Sequence, residues 1–549
     1  MNNEQLLGVE PPAAVRHEWL YDDRLVACFA GNQRTIVALL DDAVSRNPSG
    51  AAVEQGETCW TYADLEGRVE KVASALQAAG TRSGDRIAVF MGNRPEFIAL
   101  LHAIWRVGAI AVPIGERQSR ADVARLVAHS SASLLFHESA LQPRVPESLA
   151  ESASPCLCIC LDAPTAGHVE GFEAFLSRGT GACQRQPIDE QAPACLMYTS
   201  GTTGQPKGAL LSHLGFWHTA ENYRRHMRYG AAERFLLTVP GSHISGLVAV
   251  VLACLRVAGC LILAREFRAA ETLDLIERRR ITAAVMVPAM YNLLLLEPDA
   301  GRRDLSAWRI GHFGGAPMPA VTIERLADWW PQLELHNGYG ATETTSAVTL
   351  GLSSSSRADR ESVGSALPCI DLRVLDGRGQ EVAPGETGEL FIRSPGNAIG
   401  YWNDAEATRQ GFVAGYWRSG DLCSLDGQGR VRLHDRLKDV INRGGFKIHA
   451  SELEAHLQRH ARVIEAAAVA RPCPVLGERI HVFVQASGPI ALEELRDHCR
   501  GELADYKLPD DLTLSDQPLP RNQNGKLAKP VLRAQAAELA ARSTSSRTD

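Results

Sequence analysis

Apolar and polar positions along the chain follow two rhythms. Stretches such as Tyr62 to Ala79 space their apolar residues three and four apart, the period of an amphipathic helix. Between them lie short apolar runs such as Arg86 to Met91 and Ala283 to Val287, with the length and composition of buried strands. This alternation predicts an α/β fold, with helices layered over largely parallel sheets. Gly246 to Ala264 is mostly apolar, but Arg256 and two glycines interrupt it, so it reads as a buried helix followed by a strand rather than a membrane span. No internal repeat stands out. Ser353 to Ser356 reads as a solvated loop, and the Ala/Ser/Thr-rich end after about residue 536 as a frayed tail. Near Asp435 to Asp439 a strand-rich stretch gives way to a new βαβ-like pattern beginning at Val440, which marks a domain boundary.

Composition narrows the class. The 549 residues are 45% hydrophobic and 22% charged, enough for a large core and more than one domain. A net charge of −7 with a pI near 6.2 argues against nucleic-acid binding, which needs a basic footprint. The N-terminus lacks a basic start followed by an apolar stretch, so a cytoplasmic location is expected. Of 13 scattered cysteines, Cys156, Cys158 and Cys160 alternate onto one strand face. With no His or second Cys pair at zinc-ligand spacing, they read as reduced, buried and structural.

The chemistry begins at residues 198 to 208, Tyr-Thr-Ser-Gly-Thr-Thr-Gly-Gln-Pro-Lys-Gly, entered from the short apolar strand Ala-Cys-Leu-Met. Gly201 and Gly204 let the backbone turn N–H groups onto an oxyanion; Thr199, Ser200, Thr202 and Thr203 add hydroxyl donors, and Lys207 adds charge. The segment is neither a Walker loop, because Lys207 lies between Pro206 and Gly208, nor a Gly-x-Gly-x-x-Gly fingerprint.

This loop resembles the phosphate loop of the adenylate-forming superfamily, and further motifs follow in that family's order. They are Gly314-Gly315-Ala316-Pro317, Asn337-Gly338-Tyr339-Gly340-Ala341-Thr342-Glu343, Tyr416-Trp417-Arg418-Ser419-Gly420-Asp421, Asp435-Arg436-Leu437-Lys438-Asp439, and Pro520-Arg521-Asn522-Gln523-Asn524-Gly525-Lys526. The similarity spans about residues 35 to 530 and points to the acyl-CoA synthetase branch. It implies a large N-terminal domain of layered α/β sheets over 1–434, a hinge at 435–439 and a small mobile α+β C-terminal domain over 440–549.

The resemblance also implies roles. The loop would hold the β and γ phosphates of ATP, Thr342 would lie near the α-phosphate, and Glu343 would take Mg²⁺, which suits a carboxylate plus phosphate oxygens. Gly314, Gly315 and Ala316 would sandwich adenine with Tyr339, while Asp421 and Arg436 would hold the ribose. Lys526 would stabilise charge growing between the carboxylate and the α-phosphate. For the second step Lys438 matches the pivot, and Arg443-Gly444-Gly445-Phe446-Lys447 would present backbone to a thiol. Ala450 departs from the family, where many members carry proline.

His243 matches a gate beside the reacting carboxylate, in an acyl pocket framed by His243 to Gly246, Gly314-Gly315 and Asn337-Gly338. No aspartate typical of amino acid activation opens that pocket, and its apolar lining suits a fatty or aryl carboxylic acid. The leading expectation is an acid:CoA ligase that uses ATP, Mg²⁺ and CoA to form acyl-CoA through acyl-AMP. Three alternatives stand beside it: loading of a separate acyl carrier protein, oxidative light emission, and a non-catalytic nucleotide-binding regulator. The regulator would have lost Lys207, Glu343, Asp421 or Lys526, and all four are present. Oligomeric state is left open by the sequence.

Overall fold

A computed structural model of the chain describes residues 14–149, 156–162, 169–199, 207–353, 360–473, 475–521 and 527–545. Packing divides the chain into two units, residues 1–372 with 392–417, and residues 373–391 with 418–549.

The first unit is built on two sheets whose centres are parallel. In one, strands β1 (Arg86–Phe90), β2 (Ile110–Ile114), β3 (Leu134–His137) and β4 (Leu157–Cys160) lie side by side in the order β2-β1-β3-β4. In the other, β5 (Arg234–Leu237), β6 (Cys260–Leu263), β7 (Ala283–Val285), β8 (Ile310–Gly314) and β9 (Glu334–Ala341) take the order β6-β5-β7-β8-β9. All neighbours within these two runs pair in parallel. Each parallel run therefore starts at an inner strand, steps to one side, and returns across its first strand to build the other side. The sequence shows no repeat, yet the winding order repeats, because strand order is set by packing and crossover handedness rather than by residue identity.

The elements form where periodicity places them. The helix Tyr62–Ala78 starts at a capping box between Thr61 and Asp64 and buries Leu65, Val69, Val72 and Leu76. The helix Pro95–Arg106 is buried almost all round, as expected of a helix without a polar face. Gly246 to Ala264 becomes a π-helix over Ser245–Leu252, a turn of α-helix over Ala253–Arg256, and β6. Cys158 and Cys160 sit in β4 with Cys156 just before it, all three buried.

In the second unit, residues 421–425 pair antiparallel with Val431–Arg436. A further sheet joins Phe446–Ile448, Ile441–Arg443, Gly477–Ala486 and Val463–Cys473, with Asp511–Ser515 beside Gly477–Ala486. The expected frayed tail is instead a helix, Lys529–Ser545. Its Leu532 and Ala536 are fully buried in a cluster with Ala467, Val469, Phe483 and Leu519. The alanines that suggested a tail are the strongest helix formers, and the sheet supplies the apolar surface they need.

Candidate active site

A hairpin in the first unit bounds the proposed phosphate loop. Strands Pro193–Thr199 and Lys207–Ser212 pair antiparallel, and their last pair sets Thr199 opposite Lys207, with the Thr199 hydroxyl donating to the Lys207 carbonyl at 3.5 Å. Ser200, Gly201, Thr202, Thr203 and Gly204 lie outside the described residues, as does Lys526.

At the base of that hairpin three elements converge on one tyrosine. The strand Lys207–Ser212 pairs with Gly400–Tyr401, setting Ala209 opposite Tyr401. The Lys207 ammonium stands 5.1 Å from the Tyr401 ring centre, and the Tyr401 hydroxyl donates to Glu343 Oε1 at 3.0 Å. Trp417 Nε1 donates to the same hydroxyl at 3.5 Å. Burial first, and then the Glu343 carboxylate, push the Tyr401 phenol well above its usual range, so it remains a donor that holds this carboxylate. Sequence reasoning reached Lys207 and Glu343 but missed Tyr401. Its signal was an aromatic in Gly-Tyr-Trp-Asn, which by itself reads as packing.

Glu343 is carried on a 3₁₀ turn, Thr342–Thr344, that leaves β9. Gly340 makes the turn feasible, since a Cβ there would lie 1.9 Å from the Ser346 carbonyl oxygen. Thr345 and Ser346 then take positive φ, and Thr345 donates to the Gly396 carbonyl at 2.6 Å. Such backbone persists only where surrounding bonds hold it. No group of three or more metal-ligating side chains occurs among the described residues. One carboxylate oriented by a phenol fits Mg²⁺, which takes few protein ligands and completes its shell with phosphate and water oxygens.

The proposed adenine slot lies at the ends of β8 and β9. Gly314 pairs with Gly338, and a Cβ on Gly314 would lie 2.5 Å from the Gly338 carbonyl oxygen. A Cβ on Gly338 would meet His312 Nε2 at 2.4 Å, so a buried imidazole also explains this glycine. Gly315, at φ 77°, and Ala316 are exposed, whereas Tyr339 is buried. Asn337 is buried and its amide donates to the Ser362 carbonyl at 3.2 Å.

His243 is half-buried, with Nδ1 2.8 Å from the Ser245 hydroxyl at the head of the π-helix. Gly246 packs against Pro240, and Asn93 holds the loop: its Oδ1 accepts from Gly241 N–H at 2.8 Å and its amide donates to the Val239 carbonyl at 3.1 Å.

In the second unit Asp421 and Arg436 face each other across the ladder, with Arg436 Nε 3.2 Å from Asp421 Oδ1. Lys438 stands on a 3₁₀ turn, Leu437–Asp439, and burial and then Arg436 draw its pKa below the usual lysine range. Arg533 binds the Asp439 carboxylate. Gly444 and Gly445, both at positive φ, form the two-residue turn between Ile441–Arg443 and Phe446–Ile448. Arg443 pairs with Asp510 at 2.9 Å and Phe446 stacks on Tyr506 at 4.5 Å, fixing the turn's flanks.

A sequence model of the AMP-binding enzymes matches residues 40–402, and one of the AMP-binding enzyme C-terminal domain matches residues 452–526. The indoleacetate–CoA ligase of Aromatoleum aromaticum is 32% identical over 510 residues, covering 92% of this chain and 98% of its own. The feruloyl-CoA synthase of an Amycolatopsis species is 35% identical over 496 residues, covering 89% and 96%. Among solved structures, ATP-bound MatB from Rhodopseudomonas palustris matches with a TM-score of 0.82 at 26% identity, covering 91% of this chain and 98% of its own.

Proposed function

The chain belongs to the AMP-binding enzyme family and is an ATP-dependent acid–CoA ligase, and we propose that its acid is an aryl or fatty carboxylate, the aryl class first. The observation that carries the aryl preference is that two relatives matched over most of this chain are named for indoleacetate and ferulate.

In the first half-reaction the carboxylate oxygen attacks the α-phosphorus of ATP, the bond to the bridging oxygen breaks, and pyrophosphate leaves with the electron pair. Two anions must meet in line, so the residues act by position and charge. Thr199, Lys207 and the intervening loop hold the β and γ phosphates, with Thr342 beside the α-phosphate. Tyr401 orients the Glu343 carboxylate. Mg²⁺ held there would offset charge on the phosphate oxygens. Adenine lies by Gly314–Ala316 and Tyr339, Asp421 and Arg436 serve the ribose, and His243 borders the acid. Lys526 stabilises negative charge in the transition state.

In the second half-reaction the CoA thiol attacks the acyl carbon, AMP leaves, and the thiol proton is released. A pivot at 435–439, centred on Lys438, withdraws Lys526 and brings Gly444–Gly445 to the thiol. ATP and CoA as substrates support a cytoplasmic setting; among the described residues no helix is long and apolar enough to cross a membrane.

The deciding experiment is pyrophosphate release from MgATP with aryl acids and with short, medium and long fatty acids, with and without CoA, products identified by mass. Acyl-CoA from aryl acids is the expected result. Acyl-CoA from fatty acids alone would overturn the aryl preference. Acyl-AMP without acyl-CoA would transfer the second step to a carrier-protein thiol, and no acid-dependent release would refute the ligase.

A further inference from the structure

The repeated winding order gives the first unit two topological switch points. In the second sheet the switch lies between β5 and β7, and the loop after β5 carries Pro240 to His243, beside the proposed acid pocket. In the first sheet it lies between β1 and β3. Open α/β sheets bind ligands in the crevice outside the strands' carboxyl ends at such a point. There the structure holds an open depression of about 530 Å³. The loops that the topology predicts supply Arg94 and Glu96, after β1, and Glu138 and Ser139, after β3; Asp162, after β4, and Arg265, after β6 of the second sheet, complete the walls.

The lining is charged and hydrogen-bonding, unsuited to an acyl chain. Arg94 is committed on both sides, with Nε donating to Glu96 at 2.8 Å and the terminal nitrogens to Asp162 at 3.3 Å. Buried Glu138 accepts the Gly92 N–H at 3.2 Å and a bond from Arg265. Among the described residues Arg265 hydrogen-bonds only Glu138, and its side chain is 46% exposed. Glu96 and Asp162 share Arg94, which also stands 3.6 Å from Glu138; Asp162 further accepts from the Ser139 N–H at 3.1 Å and hydroxyl at 3.3 Å, and the two carboxylates remain 31% and 39% exposed. The crevice thus offers a guanidinium with donors to spare and two part-exposed carboxylates that share one cation. Opposed charges across so small a space suit a ligand bearing both signs.

We propose that this crevice is a second binding site, for a small zwitterion of the α-amino acid class. The ligand's carboxylate would meet Arg265 and its ammonium Glu96 and Asp162. The two crevices are joined through Asn93, which precedes Arg94 and holds Gly241 in the His243 loop.

Calorimetric titration of the full chain with the twenty amino acids and glycine betaine tests the site. Acetate and methylammonium serve as half-ligands, and each titration is repeated with a non-reactive acyl-sulfamoyl adenosine filling the adenylation cleft. At least one zwitterion should bind saturably, at least tenfold tighter than either half-ligand, whether or not the cleft is filled. Arg265→Gln and Ala140→Trp, the latter on an exposed rim residue, should each weaken binding at least tenfold and leave acid-dependent pyrophosphate release unchanged. If Arg265→Gln unfolds because Glu138 loses its partner, Ala140→Trp decides. No saturable binding, binding abolished by the adenosine mimic, or binding unaltered by Ala140→Trp would each overturn the site, independently of whether the chain ligates acids to CoA.

Discussion

Tyr401 couples two residues proposed to handle the phosphates and the metal, Lys207 and Glu343. Its ring lies under the ammonium and its hydroxyl on the carboxylate. Hydrogen bonds to charged groups contribute about 1.5–3 kcal/mol. Tyr401→Phe keeps the ring and removes the bond, so acid-dependent pyrophosphate release should fall about tenfold, equivalent to about 1.4 kcal/mol, with the loss partly recovered at high Mg²⁺. An unchanged rate and Mg²⁺ dependence would show that Glu343 needs no such orientation. Lys526→Ala should lower adenylation by roughly 10²–10³, the usual effect of removing one transition-state stabiliser, while supplied acyl-AMP is still converted to acyl-CoA. Equal loss of both half-reactions would exclude the division of labour assigned to Lys526. Glu343 was legible because a motif surrounds it, whereas Tyr401 lies 58 residues away and gains its meaning only through a strand pairing.

At the scale of elements, the turn that presents Glu343 depends on backbone clearance. Gly340→Ala would place a methyl 1.9 Å from the Ser346 carbonyl oxygen, at a bulge between β9 and Ser346–Leu352. The strands must part, so this variant should lose both thermal stability and adenylation. A wild-type melting temperature with full activity would show that the bulge is slack. In the second unit Leu532 anchors the terminal helix in a closed apolar cluster. Leu532→Ala should cost about 2–5 kcal/mol in denaturant unfolding of that unit, the range for buried leucines. A loss near zero would mean that the helix contributes nothing to the sheet beneath it. This helix escaped the sequence reading because its face is mostly alanine, whose burial depends on a partner surface that periodicity does not reveal.

For the whole molecule, the core holds imidazoles that stay neutral. Burial draws His102, His213, His218 and His312 down to about 3 and His336 to about 4, and among the described residues neither ring nitrogen of His102 or His218 finds a hydrogen-bond partner. Between about pH 6.5 and these values the unfolded chain binds protons that the folded chain does not, so stability rises with pH across that window and is lost as pH falls through it. Above pH 6.5 these groups contribute no pH dependence. The melting temperature should therefore decline steadily from about pH 6.5 to 4, and His102→Leu, of similar size and uncharged, should flatten the decline. An equal slope in that variant would assign the acid sensitivity to other groups. The sequence by itself determined the α/β class, the principal helices and strands, and the motif residues Lys207, Glu343, Asp421 and Lys526, because periodicity and local motifs need only neighbours along the chain. Tertiary structure alone decided that two sheets share one winding order, that Tyr401 joins Lys207 to Glu343, that Gly338 yields space to His312, and that Arg94 and Arg265 enclose a charged crevice. Each of these is a distance between residues far apart in sequence, and only packing brings them together.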